Sequence, residues 1–315
     1  MPRVLITGGA GFIGRHCAQR FVELGWNVRL FDHLSLAKDD EILKMGCSIH
    51  IGDIRDKQAV DLAMQDCEVV IHLAALVSVP ESIKNPKETF DVNVTGTRNV
   101  LESAQKMDMT HAIFASSAAV YGNQRTLPLN ESAVVASLSP YGESKIINEN
   151  DVEKAQNDGL NAISLRFFNV YGHGQSIENG YASLIPLFID AMVQGNQPTI
   201  FGNGAQTRDF IHVGDLANAI AELASTSKPF SDYVVNIASQ TQTTVLDVFK
   251  TINRHLVQNY GHEKIEPIFL PPRKGDVVHS FGSISRLKTI IEWQPRVNFE
   301  YGLYDLVDMQ KRRNA

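Results

Sequence analysis

A glycine-rich turn close to the N-terminus constrains this chain more than any other stretch. The apolar run Arg3-Val4-Leu5-Ile6-Thr7 leads into Gly8, Gly11 and Gly14, and an amphipathic stretch with helical spacing follows. Strand, turn and helix in that order make a phosphate cradle. The first glycine permits a tight turn, the second lets backbone approach a pyrophosphate, and the third lets the helix pack on the strand. Free N–H groups at the helix N-terminus, around Phe12 and Ile13, then face negative charge. A glycine pattern alone says little, but here Asp32 also closes the second apolar run. That carboxylate is placed to accept both ribose hydroxyls, which favours NAD over NADP because a 2′-phosphate would meet a like charge.

The turn opens a regular alternation. Strands are expected at 3–7, 28–32, 48–52, 69–74, 112–116 and 162–168, with helices near 11–24, 57–64, 87–106 and 141–157. Apolar strands spaced by helices imply βαβ units, hence an α/β fold with a Rossmann-type, doubly wound parallel sheet. After Asn169 the texture changes to loop-like Tyr171-Gly172-His173-Gly174 and Phe201-Gly202-Asn203-Gly204. We expect a dinucleotide-binding domain over 1–168, with returning segments near 208–240, and a smaller substrate-binding lobe from 169–207 and 241–315. The return is expected through 210–213, a helix at 214–224 and a strand at 233–237.

Composition narrows the classes. At 315 residues the chain can bury an ample core, and a net charge of −6 without a basic stripe argues against nucleic acid. Cys17, Cys47 and Cys67 are scattered and show no metal-ligand spacing, and no histidine motif suggests a metal. No apolar run approaches the ~20 residues of a membrane span. The absence of a signal-peptide pattern makes the cytoplasm the expected compartment.

A second cluster carries chemistry. Tyr141 and Lys145 stand four residues apart, on one face of a helix. An ammonium there is expected to lower the phenol's pKa, so that a tyrosinate can act as a base near neutral pH. Ser117 lies 24 residues before Tyr141, at the carboxyl end of the fifth strand, where open α/β sheets bind ligands.

Together these motifs resemble the extended short-chain dehydrogenase/reductase family, in its NAD-dependent epimerase/dehydratase branch. The likeness extends from Arg3 to about Gly302. It implies a Ser117–Tyr141–Lys145 triad, with Lys145 also holding the nicotinamide ribose. Gly52-Asp53-Ile54 resembles the family's adenine clamp, and Leu73-Ala74-Ala75 its cofactor-lining segment. His72 reads as packing, and Asn93 as structural or cofactor-supporting. Dehydratases of the family usually carry an Asp-Glu pair after the serine position; here Ala118 and Ala119 stand there. Hydride transfer alone remains.

The stretch from Leu165 to Gly172 is similar to that of sugar-nucleotide 4-epimerases, which implies diphosphate contact by Asn169. Arg208 and Arg273 would clamp the diphosphate with planar guanidinium forks. Asp276 would take the nucleotide ribose. Ser78 begins a segment similar to that of UDP-N-acetylhexosamine 4-epimerases. Ser280 falls where UDP-glucose-restricted enzymes carry a bulky tyrosine, so its small side chain leaves volume for an N-acetyl group. The expectation is a UDP-sugar 4-epimerase with tightly held NAD and, as the family implies, a homodimer built on helices 87–106 and 141–157. A UDP-glucuronate 4-epimerase, another NAD-dependent oxidoreductase or dehydratase of the family, a non-catalytic nucleotide sensor and a scaffold subunit are the alternatives.

Overall fold

Successive side chains of a strand point to opposite faces, and the first strand shows what that requires. In β1 (Arg3–Thr7) Val4 and Ile6 join one apolar cluster while Leu5 joins another, and all three are fully buried. A strand buried on both faces must lie inside a sheet covered by helices. The structure is a computed structural model that describes residues 1–33, 42, 44–175, 183–272 and 277–314.

β1 is central to a seven-stranded parallel sheet. Its companions are β2 (Asn27–Asp32), β3 (Ser48–Ile51), β4 (Val69–His72), β5 (His111–Ser117), β6 (Ala162–Phe167) and β7 (Val234–Ile237). The order across the sheet is β7-β6-β5-β4-β1-β2-β3. The winding therefore reverses beside β1, where Thr7 registers with Phe31 of β2 on one side and His72 of β4 on the other. Ligands bind at such a switch point, outside the carboxyl ends of the strands.

Helices α1 (Phe12–Glu23) and α5 (Val213–Ala224) cover one face, contributing Phe21, Leu216 and Ile220 to its core. Helices α2 (Lys57–Met64), α3 (Gly96–Lys106) and α4 (Pro140–Asn157) cover the other with Met64, Val100 and Val152. A third cluster lies apart, where helices Leu184–Val193, Val245–Tyr260 and Phe299–Asn314 bring together Phe188, Met192, Ile252, Leu303 and Val307.

Three expectations need correction. The fourth strand ends at His72, because Leu73 and Ala74 turn away toward the glycine loop. The helix expected over 87–106 is broken into Pro86–Phe90, a π-helical turn Asp91–Thr95 and α3. Phe210–His212 does not rejoin the central sheet but pairs in parallel with Asn169–Tyr171.

Candidate active site

The glycine turn has no room for side chains. Gly8 has φ +66°, and a Cβ on it would lie 2.7 Å from the backbone nitrogen of Ala74. A Cβ on Gly14 would lie 2.2 Å from the Gly8 carbonyl oxygen. The N-cap of α1 is Gly11, with no side-chain cap and no acidic residue in the first turn. Its N–H groups are thereby left for an anion, with Phe12 and Ile13 on the first turn. At the end of β2, Asp32 Oδ2 accepts from the Ala10 N–H at 2.9 Å and Oδ1 from the His33 N–H at 2.7 Å. These bonds aim a carboxylate beside the turn. An uncapped helix end and a fixed acid at a switch point suit a dinucleotide such as NAD.

The flanking residues serve partly other ends. Asp53 is gripped by Arg55, whose Nη2 approaches Oδ2 at 2.5 Å and which also reaches Asp91 at 3.3 Å. The Arg55 hydrogen bonds hold the Asp53 carboxyl below its ordinary pKa. Ile54 packs on α3, where Gly96 makes room for its Cδ1. Leu73 donates its N–H to the Thr7 carbonyl, and Ala74, with Ala75 next to it, lies against Gly8. His72 is buried between the Thr7 and Thr97 hydroxyls, and burial pushes it down to about 3. Asn93 holds both backbone groups of Leu76 and touches Ser144 of α4. Ser78 caps the helix Val79–Lys84 by accepting from the Glu81 N–H.

The second cluster converges at the carboxyl end of β5. Ser139 caps α4 and Pro140 occupies its first turn. Gly142 lets that turn approach Ala119, since a Cβ there would stand 2.9 Å from its carbonyl oxygen. Tyr141 and Lys145 then face β5. Ser117 stands beside the Tyr141 phenol, where its hydroxyl favours the ionised form, and Lys145 Nζ donates to the Ala115 carbonyl at 2.8 Å. Lys145 Nζ is 5.9 Å from the centre of the Tyr141 ring.

The expected depression of the phenol's pKa is not found in the chain alone. Burial pushes Tyr141 up, opposed by the Ser117 hydroxyl beside it. Burial also pushes the Lys145 ammonium down, to about 8. Desolvation penalises both charged forms here.

Short strands bring distant candidates together. The Asn169 N–H donates to the Asp209 carbonyl at 2.9 Å, and the Ser280 N–H to the Thr207 carbonyl at 3.1 Å. Arg208 lies between them in sequence and donates from Nη1 to the Thr207 carbonyl at 2.9 Å. Asp209, fully buried, ties the group together by accepting from the N–H groups of Ser239, Gln240 and Gly282. Its role is not apparent from the sequence, beyond its place next to Arg208. Arg273 and Asp276 lie outside the described residues. Among the described residues no cluster suited to a metal ion occurs, and no helix is long and apolar enough to cross a membrane.

A doubly wound sheet that places a glycine turn and a Ser–Tyr–Lys constellation at one carboxyl edge defines a dinucleotide-dependent class of protein. The chain belongs to the NAD-dependent epimerase/dehydratase family, whose model matches residues 4–238. It is 37% identical over 315 residues to a putative UDP-glucose 4-epimerase of Methanocaldococcus jannaschii, covering 99% of both chains. Among solved structures, UDP-N-acetylglucosamine 4-epimerase of Methanobrevibacter ruminantium, in complex with UDP-N-acetylmuramic acid, superposes with a TM-score of 0.90 at 31% identity, covering 99% of each chain. The UDP-glucose 4-epimerase of Thermotoga maritima, with UDP-glucose, gives 0.91 at 32% identity over 99% of this chain and 100% of that one.

Proposed function

We propose that this protein is a nucleotide-sugar 4-epimerase acting on a UDP-hexose through a 4-keto intermediate. The observation that carries the reading is a hydride-transfer triad whose serine is not followed by an acid. Ser117, Tyr141 and Lys145 converge, while the two positions after the serine are Ala118 and Ala119. Elimination or decarboxylation would require a further acid–base group there. The names of the similar proteins above support the choice of reaction and of carrier.

NAD, when bound, supplies a hydride acceptor and donor, and its positively charged ring favours the tyrosinate. The remaining work falls to the chain. Gly8, Gly11, Phe12, Ile13 and Gly14 hold the pyrophosphate, and Asp32 the adenosine ribose. Asp53, Ile54, Leu73, Ala74 and Ala75 line the rest of the cofactor site. Tyr141 removes the proton of the 4-hydroxyl and later restores it, Ser117 orients that hydroxyl, and Lys145 holds the nicotinamide ribose.

The 4-keto sugar must turn over in the pocket before it is reduced on its other face. That requires a strong hold on the diphosphate and a weak one on the ring, so binding energy is placed away from the reacting carbon. Asn169, Arg208 and Arg273 serve the diphosphate, Asp276 the nucleotide ribose, and Ser78 and Ser280 the sugar side. Residues 169–207 and 241–315 form the substrate-binding lobe in this reading. The working unit is a homodimer in the cytoplasm, paired through helices 87–106 and 141–157.

A proton NMR time course with UDP-N-acetylglucosamine and, separately, UDP-glucose, without added cofactor, tests the assignment. The galacto epimer should appear, with the N-acetyl sugar accepted because Ser280 is small. Failure with both sugars after NAD is supplied would refute the substrate assignment.

A further inference from the structure

One buried charge cluster beside the triad has no part in the chemistry described so far. Residues 115–117 of β5 each face α4: Ser117 stands beside Tyr141, the Ala115 carbonyl accepts from Lys145, and Ser116 donates to Glu149 Oε1. Glu149 follows Lys145 by one helical turn, on the same face, and is 3% exposed. Arg166 of β6 closes on it from the far side, with Nη2 to Oε2 at 2.7 Å and Nε to Oε1 at 2.9 Å. The guanidinium in turn lies 4.7 Å from the centre of the Tyr121 ring.

A buried ion pair is weak evidence of stabilisation, because desolvation offsets its attraction. What stands beside this pair is a buried ammonium that burial pushes down to about 8. Facing Lys145 are Tyr141 and Glu149 from α4 and His72 from β4, the last kept neutral by burial. Among the described residues Glu149 is therefore the one negative charge that bears on it. Without that charge, desolvation would weigh more heavily on Lys145.

We propose, resting on the epimerase reading, that Glu149, fixed by Ser116 and Arg166, is a positioning residue that keeps Lys145 charged beside Tyr141. It touches neither substrate nor cofactor and acts through Lys145. Ser116 and Arg166 fix the carboxylate in direction, one turn along α4 from Lys145.

The test is a titration of the lysine side-chain nitrogens by ¹⁵N NMR on the full chain. Lys145 is identified by the signal that disappears in Lys145→Arg. Its midpoint should lie near 8 in the unaltered protein. In Glu149→Gln it should fall by about one pH unit, the scale on which a nearby charge moves a buried group. The alkaline limb of kcat should move to lower pH with it, which a merely structural role would not cause. Glu149→Asp keeps the charge one methylene further back and should show a smaller shift in the same direction. An unmoved midpoint in folded Glu149→Gln, or in Glu149→Asp if the glutamine variant does not fold, overturns the inference. The lysine titration needs no substrate. A chain that epimerises no sugar would therefore refute the epimerase reading without deciding the role of Glu149.

Discussion

At the scale of single residues, the triad and the glycine turn make separable demands. In the proposed reaction Tyr141→Phe removes the group that exchanges the 4-hydroxyl proton, so kcat should fall by about 10²–10⁴-fold while bound NAD is retained. Steady-state assays with extraction of the cofactor would check both parts. Gly8→Ala should act in the opposite way. Its Cβ would collide with Ala74 at a positive φ, so NAD content and melting temperature should fall together. These residues are legible in the sequence because the chemistry requires particular residue types at fixed local spacing. Glu149 is not, since nothing local shows that Ser116 and Arg166, 33 and 17 residues away, will meet it. The state of Tyr141 is also hidden, because it depends on how deeply α4 is buried.

At the scale of elements, His72 and Asp209 are the joints. His72 links β1 and β4 to α3 through the Thr7 and Thr97 hydroxyls. Its pKa is about 3 in the folded chain against an ordinary 6.5, so above 6.5 the imidazole is neutral in both states. As the pH falls below that value, the unfolded chain takes up a proton that the folded chain refuses. Stability is then lost toward pH 3, at up to about 1.4 kcal/mol per pH unit from this residue. Replacing His72 with Asn should flatten the fall of melting temperature between pH 6.5 and 5, as calorimetry would show. Asp209→Ala leaves the N–H groups of Ser239, Gln240 and Gly282 without their acceptor. It should cost about 3 kcal/mol in denaturant unfolding.

Elements set by local pattern, such as β1, α1 and α4, are readable from sequence, because strand and helix periods and the caps are local. The pairing of Phe210–His212 with Asn169–Tyr171 is not, because a strand's partner is chosen by packing far along the chain. The break at Asp91–Thr95 escapes for a different reason. Nothing in the apolar spacing of 87–106 marks the π-turn, which puts Asn93 against Leu76 and Ser144.

At the scale of the whole molecule, the order β7-β6-β5-β4-β1-β2-β3 gathers the two motifs at one edge. The glycine turn follows β1, and the Ser117 end of β5 lies one strand beyond β4. The third apolar cluster, on three helices outside the sheet, adjoins the short strands that bear Asn169 and Arg208. In the proposed reaction this division matters. A rigid sheet fixes the reacting groups, and the nucleotide is held elsewhere, leaving the sugar free to turn.

The most direct test of that account is epimerisation in deuterated water, followed by NMR and mass analysis of the product. Hydride removed from C4 and returned to C4 never exchanges with solvent, so the galacto epimer should form with no deuterium at that carbon. Deuterium at C4, or no epimer at all, would contradict it.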